Sequence, residues 1–235
     1  MESLVNKPRT ERGRTTLNNI LSAAAQVFYE KGYHDASIND ITRLAGVASG
    51  TFYVYFDGKY NLYRYLLLQC SHVIRKHLSL AVKDCKTRRE VERVGMKAWL
   101  EFALENPYMY NIIWESLYVD RSLFEDYYQT FSKSYIQGLD AAKQTGEVYD
   151  IDSEVLAYVL MGASNFLGLN WCVFKENPEE IDHVVDEFMK LLDRGLFSKD
   201  FSAEPAPVEH KPTEIKQRFR FQVVMDDDLA EKGTE

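Results

Sequence analysis

Apolar residues recur at every third or fourth position through most of this chain, a period that puts them on one face of a helix. Leu17, Ile20, Leu21, Ala24, Val27 and Phe28 form the first such stripe, which stops at Gly32. Ser37-Ile-Asn-Asp40 then sets a serine three residues ahead of an acid, so that each side chain can satisfy a free backbone N–H of a new helix. That second helix begins at about Ile38 and is short, because Ala45-Gly46-Val47 supplies a glycine able to close it in the left-handed conformation. A third short helix follows from about Ser49 to Phe56, and Asp57-Gly58 interrupts it.

The same period continues in longer runs. Leu62, Leu66, Val73 and Ile74 open a fourth helix reaching about Val82, and Thr87-Arg-Arg-Glu90 repeats the capping pattern ahead of a fifth that ends near Glu105. Asn106-Pro107 starts a sixth, with proline at the first helical position where its missing N–H costs nothing. Asp120 caps a seventh that carries Leu123, Phe124, Tyr127, Phe131, Tyr135 and Leu139 and ends at Gly146. An eighth, from about Ser153 to Phe174, is apolar over much of its surface. The ninth follows Asn177-Pro178 with two acids at its positive end, carries Ile181 to Leu192, and closes at Arg194-Gly195. No alternating strand interrupts the series, so the fold class is all-α with about nine helices. From Lys199 onward Pro205, Pro207 and Pro212 read as an extended tail, within which Ile215 to Met225 alternates weakly, as a strand would.

The bulk properties narrow the function. No uninterrupted apolar run reaches the roughly 18 to 20 residues of a membrane span, and the start MESLVNKPRTERGR lacks the apolar core of a signal peptide, so a cytoplasmic location is expected. Cys70, Cys85 and Cys172 are widely spaced, form no CxxC pair and read as reduced thiols. The net charge of −8 is uneven: residues 1–64 carry eight Lys/Arg against six Asp/Glu, a net of +2, and the remainder carries −10. This suits a small module that approaches phosphates on an acidic body that does not. HExxH, Walker-loop, GxSxG and zinc spacings are absent and the five histidines stand apart from any ligand pattern, so no enzyme, metal or cofactor is expected.

Two short helices joined by a tight glycine turn inside a three-helix unit are either a plain helical corner or a helix-turn-helix, whose second helix enters a DNA major groove. The stretch from Ile20 to Leu66 resembles the TetR family of bacterial transcriptional regulators. Phe28, Gly32-Tyr33, Ser37, Ala45-Gly46-Val47, Gly50-Thr51-Phe52-Tyr53, Phe56, Lys59 and Leu62 all stand at that family's spacing. Gly50 either lets the backbone approach DNA or packs against the preceding helix. Thr51, Tyr53 and Tyr55 offer hydroxyls to phosphates or base edges, while Phe52 and Phe56 form the module's core. Lys59 resembles the family's phosphate clamp at the start of helix four; Ser37 reads as cap and phosphate contact together, and Arg43 as a second contact or a solvated face. Lys7, Arg9, Arg12 and Arg14 are either a basic minor-groove arm or a solvated leader. Ala48 stands where the family has a capping serine, leaving Ser49 to take over the cap and to face the DNA. The Asp57-Gly58 pair stands where Pro-Ser is common, so the operator sequence does not transfer.

The resemblance implies the following organisation: a basic arm over 1–14, a helix-turn-helix domain over 15–60, a larger helical effector-binding and dimerisation domain over 61–198, and the tail over 199–235. It implies a repressor acting as a homodimer on a double-stranded inverted-repeat operator, with helices eight and nine packing across the twofold axis through Leu160, Ala163, Leu167, Val184, Phe188 and Leu191. It further implies a small organic effector held between helices four and eight, for which Trp99, Phe102, Tyr110, Asn111, Trp114, Tyr128, Phe131 and Asn165 are the candidate residues. A dimer that binds DNA or acts as a scaffold without sensing any ligand is the alternative.

Overall fold

The computed structural model describes residues 4–194; the expected tail from Lys199, its strand, and the closing Gly195 lie outside the described residues. Among the described residues nine α-helices follow one another in the order the periodicity predicts, and there is no strand. They are α1 (Glu11–Asp35), α2 (Ile38–Ala45), α3 (Ser49–Tyr55), α4 (Lys59–Ala81), α5 (Arg88–Glu105), α6 (Pro107–Val119), α7 (Arg121–Gln144), α8 (Ser153–Gly168) and α9 (Ile181–Arg194).

The caps explain most of the boundaries. Ser37 with Asp40, and Thr87 with Glu90, each form a reciprocal capping box. Gly46 closes α2 at φ 69°, ψ 32°, the left-handed conformation that glycine reaches without a Cβ penalty. At α3 the cap position is Ala48, with no side-chain bond; Ser49 does not replace it, because its hydroxyl instead donates to Asn39 Oδ1 at 3.2 Å. Helix α1 starts six residues before its first apolar contact, since Thr10 accepts from the Gly13 amide at 3.2 Å. Arg12 and Arg14 are therefore helical rather than part of an arm, and Arg14 pairs with Glu11. The leader is not free either. Val5 is buried, and Asn6 donates from its amide to the Tyr55 carbonyl at 3.0 Å and from its side chain to the Val54 carbonyl at 3.1 Å. Of the expected basic arm, only Lys7 and Arg9 stand exposed ahead of the helix.

Two apolar cores hold the helices. The first is built on Ile20, Phe28, Ile41, Phe52, Phe56, Leu62 and Tyr63, all fully buried, and it runs on through Cys70 and Ile74 to Phe102, Ile112 and Tyr127. It thus crosses position 60 without a gap, joining the small N-terminal helices to the body. The second core gathers Leu100, Leu139, Ala157, Leu160, Val184 and Val185 from α5, α7, α8 and α9, with Cys172 from the turn that follows α8. Each Leu, Ile, Val or Phe among them is worth roughly 1.5 to 3 kcal/mol on burial. Arg89–Asp193, Arg93–Asp186 and Lys97–Asp182 then line α9 up antiparallel to α5; at these exposures they fix register more than they add stability.

Helix α8 continues into a π-helical turn over Leu169–Phe174, where the backbone amide of Lys175 donates to the Asn170 carbonyl at 3.1 Å. The combined helix is long and apolar enough to cross a bilayer by length and composition, yet Ala157, Leu160, Met161, Gly168 and Cys172 are packed inside the protein.

Candidate nucleic-acid interface and effector cavity

Helix α3 divides its residues sharply between two faces. Phe52, Tyr55 and Phe56 point into the first core, while Gly50, Tyr53 and Val54, spaced i, i+3, i+4, line the opposite face. Tyr53 is 56% exposed and Val54 61% exposed. A Cβ placed on Gly50 would meet nothing within 4 Å, so this glycine is not there to let α2 pack close. Ser49 and Gly50 are open to solvent at the start of the helix, and Thr51 is half-buried beside them. Ser37 is also exposed, with its hydroxyl given to Asp40 at 2.7 Å. Arg43 is exposed and shares Asp40 with Lys31 through contacts of 3.0 and 2.9 Å. The Asp40 carboxyl is pulled down to about 2, first by the Ser37 hydroxyl and then by Lys31.

Two of the DNA candidates are corrected. Tyr55 is 7% exposed, and its hydroxyl donates to the Gly13 carbonyl at 3.1 Å, tying α3 to α1 instead of reaching outward. Its place three residues after Phe52 already puts it on the core side. The ammonium of Lys59 donates to the carbonyls of Tyr33, His34 and Ala36 at 2.5, 3.1 and 2.7 Å, so all its protons are spent on the carboxyl end of α1. Negative helix-end carbonyls are a fitting partner for a cation, and Lys59 is a structural clamp, not a free phosphate ligand. Burial lowers its pKa, with the charges of Asp35 and Glu115 acting the other way. Val54 is the residue that sequence reading passed over; its i+4 relation to Gly50 is the signal that finds it.

In the body, a cavity of about 50 Å³ lies between α4, α5, α7 and α8. Of the eight effector candidates, Trp99, Tyr128, Phe131 and Asn165 line it; Leu78 of α4 and Tyr127 of α7 complete the apolar wall. The other four are corrected. Tyr110 is stacked between Trp99 and Trp114 with its hydroxyl on the Asn165 carbonyl, and burial pushes that hydroxyl's pKa up to about 12. Trp114 packs on Phe124 and Phe166, Phe102 packs on His77 of α4, and Asn111 is exposed on α6. An aromatic stripe on a helix has a core side and a cavity side, and composition does not separate them.

The expected dimer residues divide in the same way. Leu160, Val184 and Phe188 are 5%, 4% and 7% exposed and belong to the protomer's own core, which corrects their assignment; Ala163 and Leu167 are half-buried, and Leu191 is exposed. The open apolar stripe of α8 is instead Val155, Val159, Gly162 and Phe166, at i, i+4, i+7 and i+11, with Val159 60% and Phe166 65% exposed.

Helices α1 to α3 form a helix-turn-helix unit with one exposed face, set on a helical body. Residues 20–66 match the profile of bacterial regulatory proteins of the tetR family. The chain is 30% identical over 112 residues to the HTH-type transcriptional activator FasR of Mycolicibacterium smegmatis, across 48% of this chain and 49% of FasR. It is 58% identical over 40 residues to the HTH-type regulator YvdT of Bacillus subtilis, across 17% of this chain and 21% of that protein. The matched stretches thus span half or less of those relatives. The fold extends further: the fatty acid degradation regulator FadR of Bacillus halodurans superimposes with a TM-score of 0.71 at 20% identity, over 82% of this chain and all of that one. A regulator FadR from Bacillus subtilis, solved in complex with stearoyl-CoA, superimposes with a TM-score of 0.66 at 20% identity, over 77% of this chain and all of that one.

Proposed function

We propose that this chain is a dimeric transcriptional regulator of the bacterial cytoplasm, a repressor that lays α3 into the major groove of an inverted-repeat operator. The observation that carries the reading is the solvent face of α3, where Gly50 has open space in front of it and Tyr53 and Val54 flank it. Tyr53 and Thr51 supply hydroxyls for phosphates or base edges, and the Val54 methyls suit a thymine methyl. Ser37, Arg43 and Ser49 extend the same surface from α2 and the turn. The first turns of α3 and α4 have no side-chain cap, so their amides are available to phosphates. A single seven-residue helix reads too little sequence. Two, placed about 34 Å apart by pairing of α8 and α9 across a twofold axis, meet successive major grooves. The stripe Val155, Val159, Gly162, Phe166 is the part of α8 free to make that contact.

The effector reading rests on the cavity of the body, lined by Trp99, Tyr128, Phe131 and Asn165 and touching α4 through Leu78. The relatives described as regulators of fatty acid metabolism make acyl-CoA thioesters the first class to try. At about 50 Å³ the cavity is well below the roughly 300 to 1,000 Å³ of a ligand pocket, so an acyl chain enters only if α4 and α7 move apart from α8. That movement is what would couple effector to operator, since α4 also leads to the DNA-reading helices. The same small volume favours the ligand-independent regulator as the second reading.

Tyr53→Ala is expected to weaken operator binding by roughly tenfold or more while the scattering mass stays at twice 27.3 kDa. Unchanged binding would remove α3 from the interface. Stearoyl-CoA is expected to raise the melting temperature and release operator DNA; indifference to a full acyl-CoA chain-length series selects the ligand-independent form.

A further inference from the structure

Beside the apolar core that it shares with the body, the helix-turn-helix is joined to it through a polar knot. Helix α1 breaks at Gly32, whose φ of 74° and ψ of 164° belong to a region essentially reserved for glycine. The break turns the Tyr33 amide away from its helical partner and toward α6, where Glu115 Oε1 accepts it at 2.5 Å. A Cβ on Gly32 would stand 3.0 Å from that same oxygen, so the glycine also makes room for the carboxylate. From the other side the Lys59 ammonium gathers the carbonyls of Tyr33, His34 and Ala36 and lies 4.5 Å from the Tyr33 ring centre. The strap between α1 and α2 is thus gripped by α4 through Lys59 and by α6 through Glu115. Helix α6 is itself tied to α4, since Tyr63 donates to the Ile112 carbonyl at 2.5 Å and Tyr60 to Asp120. The second carboxylate oxygen of Glu115 is buried and accepts no hydrogen bond. An oxygen kept inside without a partner is unfavourable, which points to a role for the acceptor beside it rather than to packing.

We propose that Glu115 is a positioning residue for operator recognition: through the Tyr33 amide it fixes the angle at which the helix-turn-helix leaves the body, and so the spacing between the two recognition helices of a dimer. This rests on the regulator reading above. Glu115 is half-buried on the second turn from the end of α6, with its carboxylate turned to the Tyr33 amide. It acts on where α3 stands, not on what α3 contacts. A one-base-pair change between half-sites moves them by about 3.4 Å and rotates them, and only a protein with a fixed spacing rejects it strongly.

The test uses the full chain and three proteins: wild type, Glu115→Ala, which removes the acceptor, and Glu115→Gln, which keeps it. Hydrogen exchange at the Tyr33 amide is expected to rise by roughly tenfold or more in the alanine variant and to stay slow in the glutamine variant. Operators are selected for each protein from random DNA and then lengthened or shortened by one base pair between half-sites. Wild type and Glu115→Gln are expected to prefer the selected spacing by about tenfold or more, and Glu115→Ala by less than about threefold. A merely structural role would lower affinity for every spacing alike and leave the preference intact. Retained spacing preference in Glu115→Ala, or an unchanged Tyr33 exchange rate, overturns the proposal. A wild type that selects no inverted repeat overturns the regulator reading itself, and this inference with it.

Discussion

Replacing Gly50 by alanine separates the two uses a glycine can have at the start of α3. Gly50 is the second residue of the helix, its φ is not positive, and a Cβ there meets nothing within 4 Å. Folding therefore costs the new methyl nothing. Alanine is better than glycine in a helix by about 1 kcal/mol in the interior and by less in a first turn, so a gain of roughly 0.5 kcal/mol is expected. At about 2 to 4 °C per kcal/mol for a chain of this size, the melting temperature should rise by about 1 to 2 °C. Against DNA the sign reverses, because the methyl occupies the gap through which backbone and groove meet. A lost or displaced contact of about 1 to 3 kcal/mol corresponds to roughly 5- to 150-fold weaker operator binding. Calorimetry and a fluorescence-anisotropy titration at stated salt read the two effects on one sample. A lower melting temperature would show that Gly50 is needed for packing. A higher one with unchanged operator affinity would show that DNA does not approach this end of α3.

Tyr55→Phe removes the bond to the Gly13 carbonyl and should cost about 1 kcal/mol of stability with operator affinity changed less than about twofold; a loss of DNA binding comparable to Tyr53→Ala would return Tyr55 to the interface. Ser37→Ala should lower stability by about 1 kcal/mol through the lost cap of α2, read by denaturant midpoint. The Asp40 carboxyl sits at about 2 in the fold against 3.8 for the free group, so its contribution is present above pH 3.8 and fades as pH falls toward 2. Asp40→Asn should flatten that part of the acid-stability profile, and identical wild-type and variant profiles would remove Asp40 as the cause. Val159→Glu with Phe166→Glu places charges on the open stripe of α8 and should give a 27.3 kDa monomer by light scattering; an unchanged dimer would place the twofold contact elsewhere.

The helices were legible because their signals are local. Capping pairs such as Ser37 with Asp40 and Thr87 with Glu90 act within one turn, and the apolar stripes of the longer helices leave little choice of class. The exposed and buried faces of the helix-turn-helix were legible by half. Spacing alone puts Tyr53 outward and Tyr55 inward, whereas Lys59 met three carbonyls that the sequence places more than twenty residues away. The body was harder for the same reason. Leu160 and Val159 are neighbours on α8 with the same chemistry, yet one faces α5 and α9 while the other stands open, and only the packed partner decides which. Tyr110 and Tyr128 look alike in composition, but stacking between two tryptophans takes the first out of the cavity. The start of α1 depended on Thr10 and on Asn6 reaching Val54 and Tyr55, contacts with no apolar stripe to announce them.

Selection of bound DNA from a random pool by the full chain, at stated salt, tests the central claim most directly. Enrichment of an inverted repeat whose half-sites lie about one helical turn, or a whole multiple of it, apart is the expected result, and it should be lost with Tyr53→Ala. A pool that remains unenriched after repeated rounds, with the protein folded and dimeric, would contradict it.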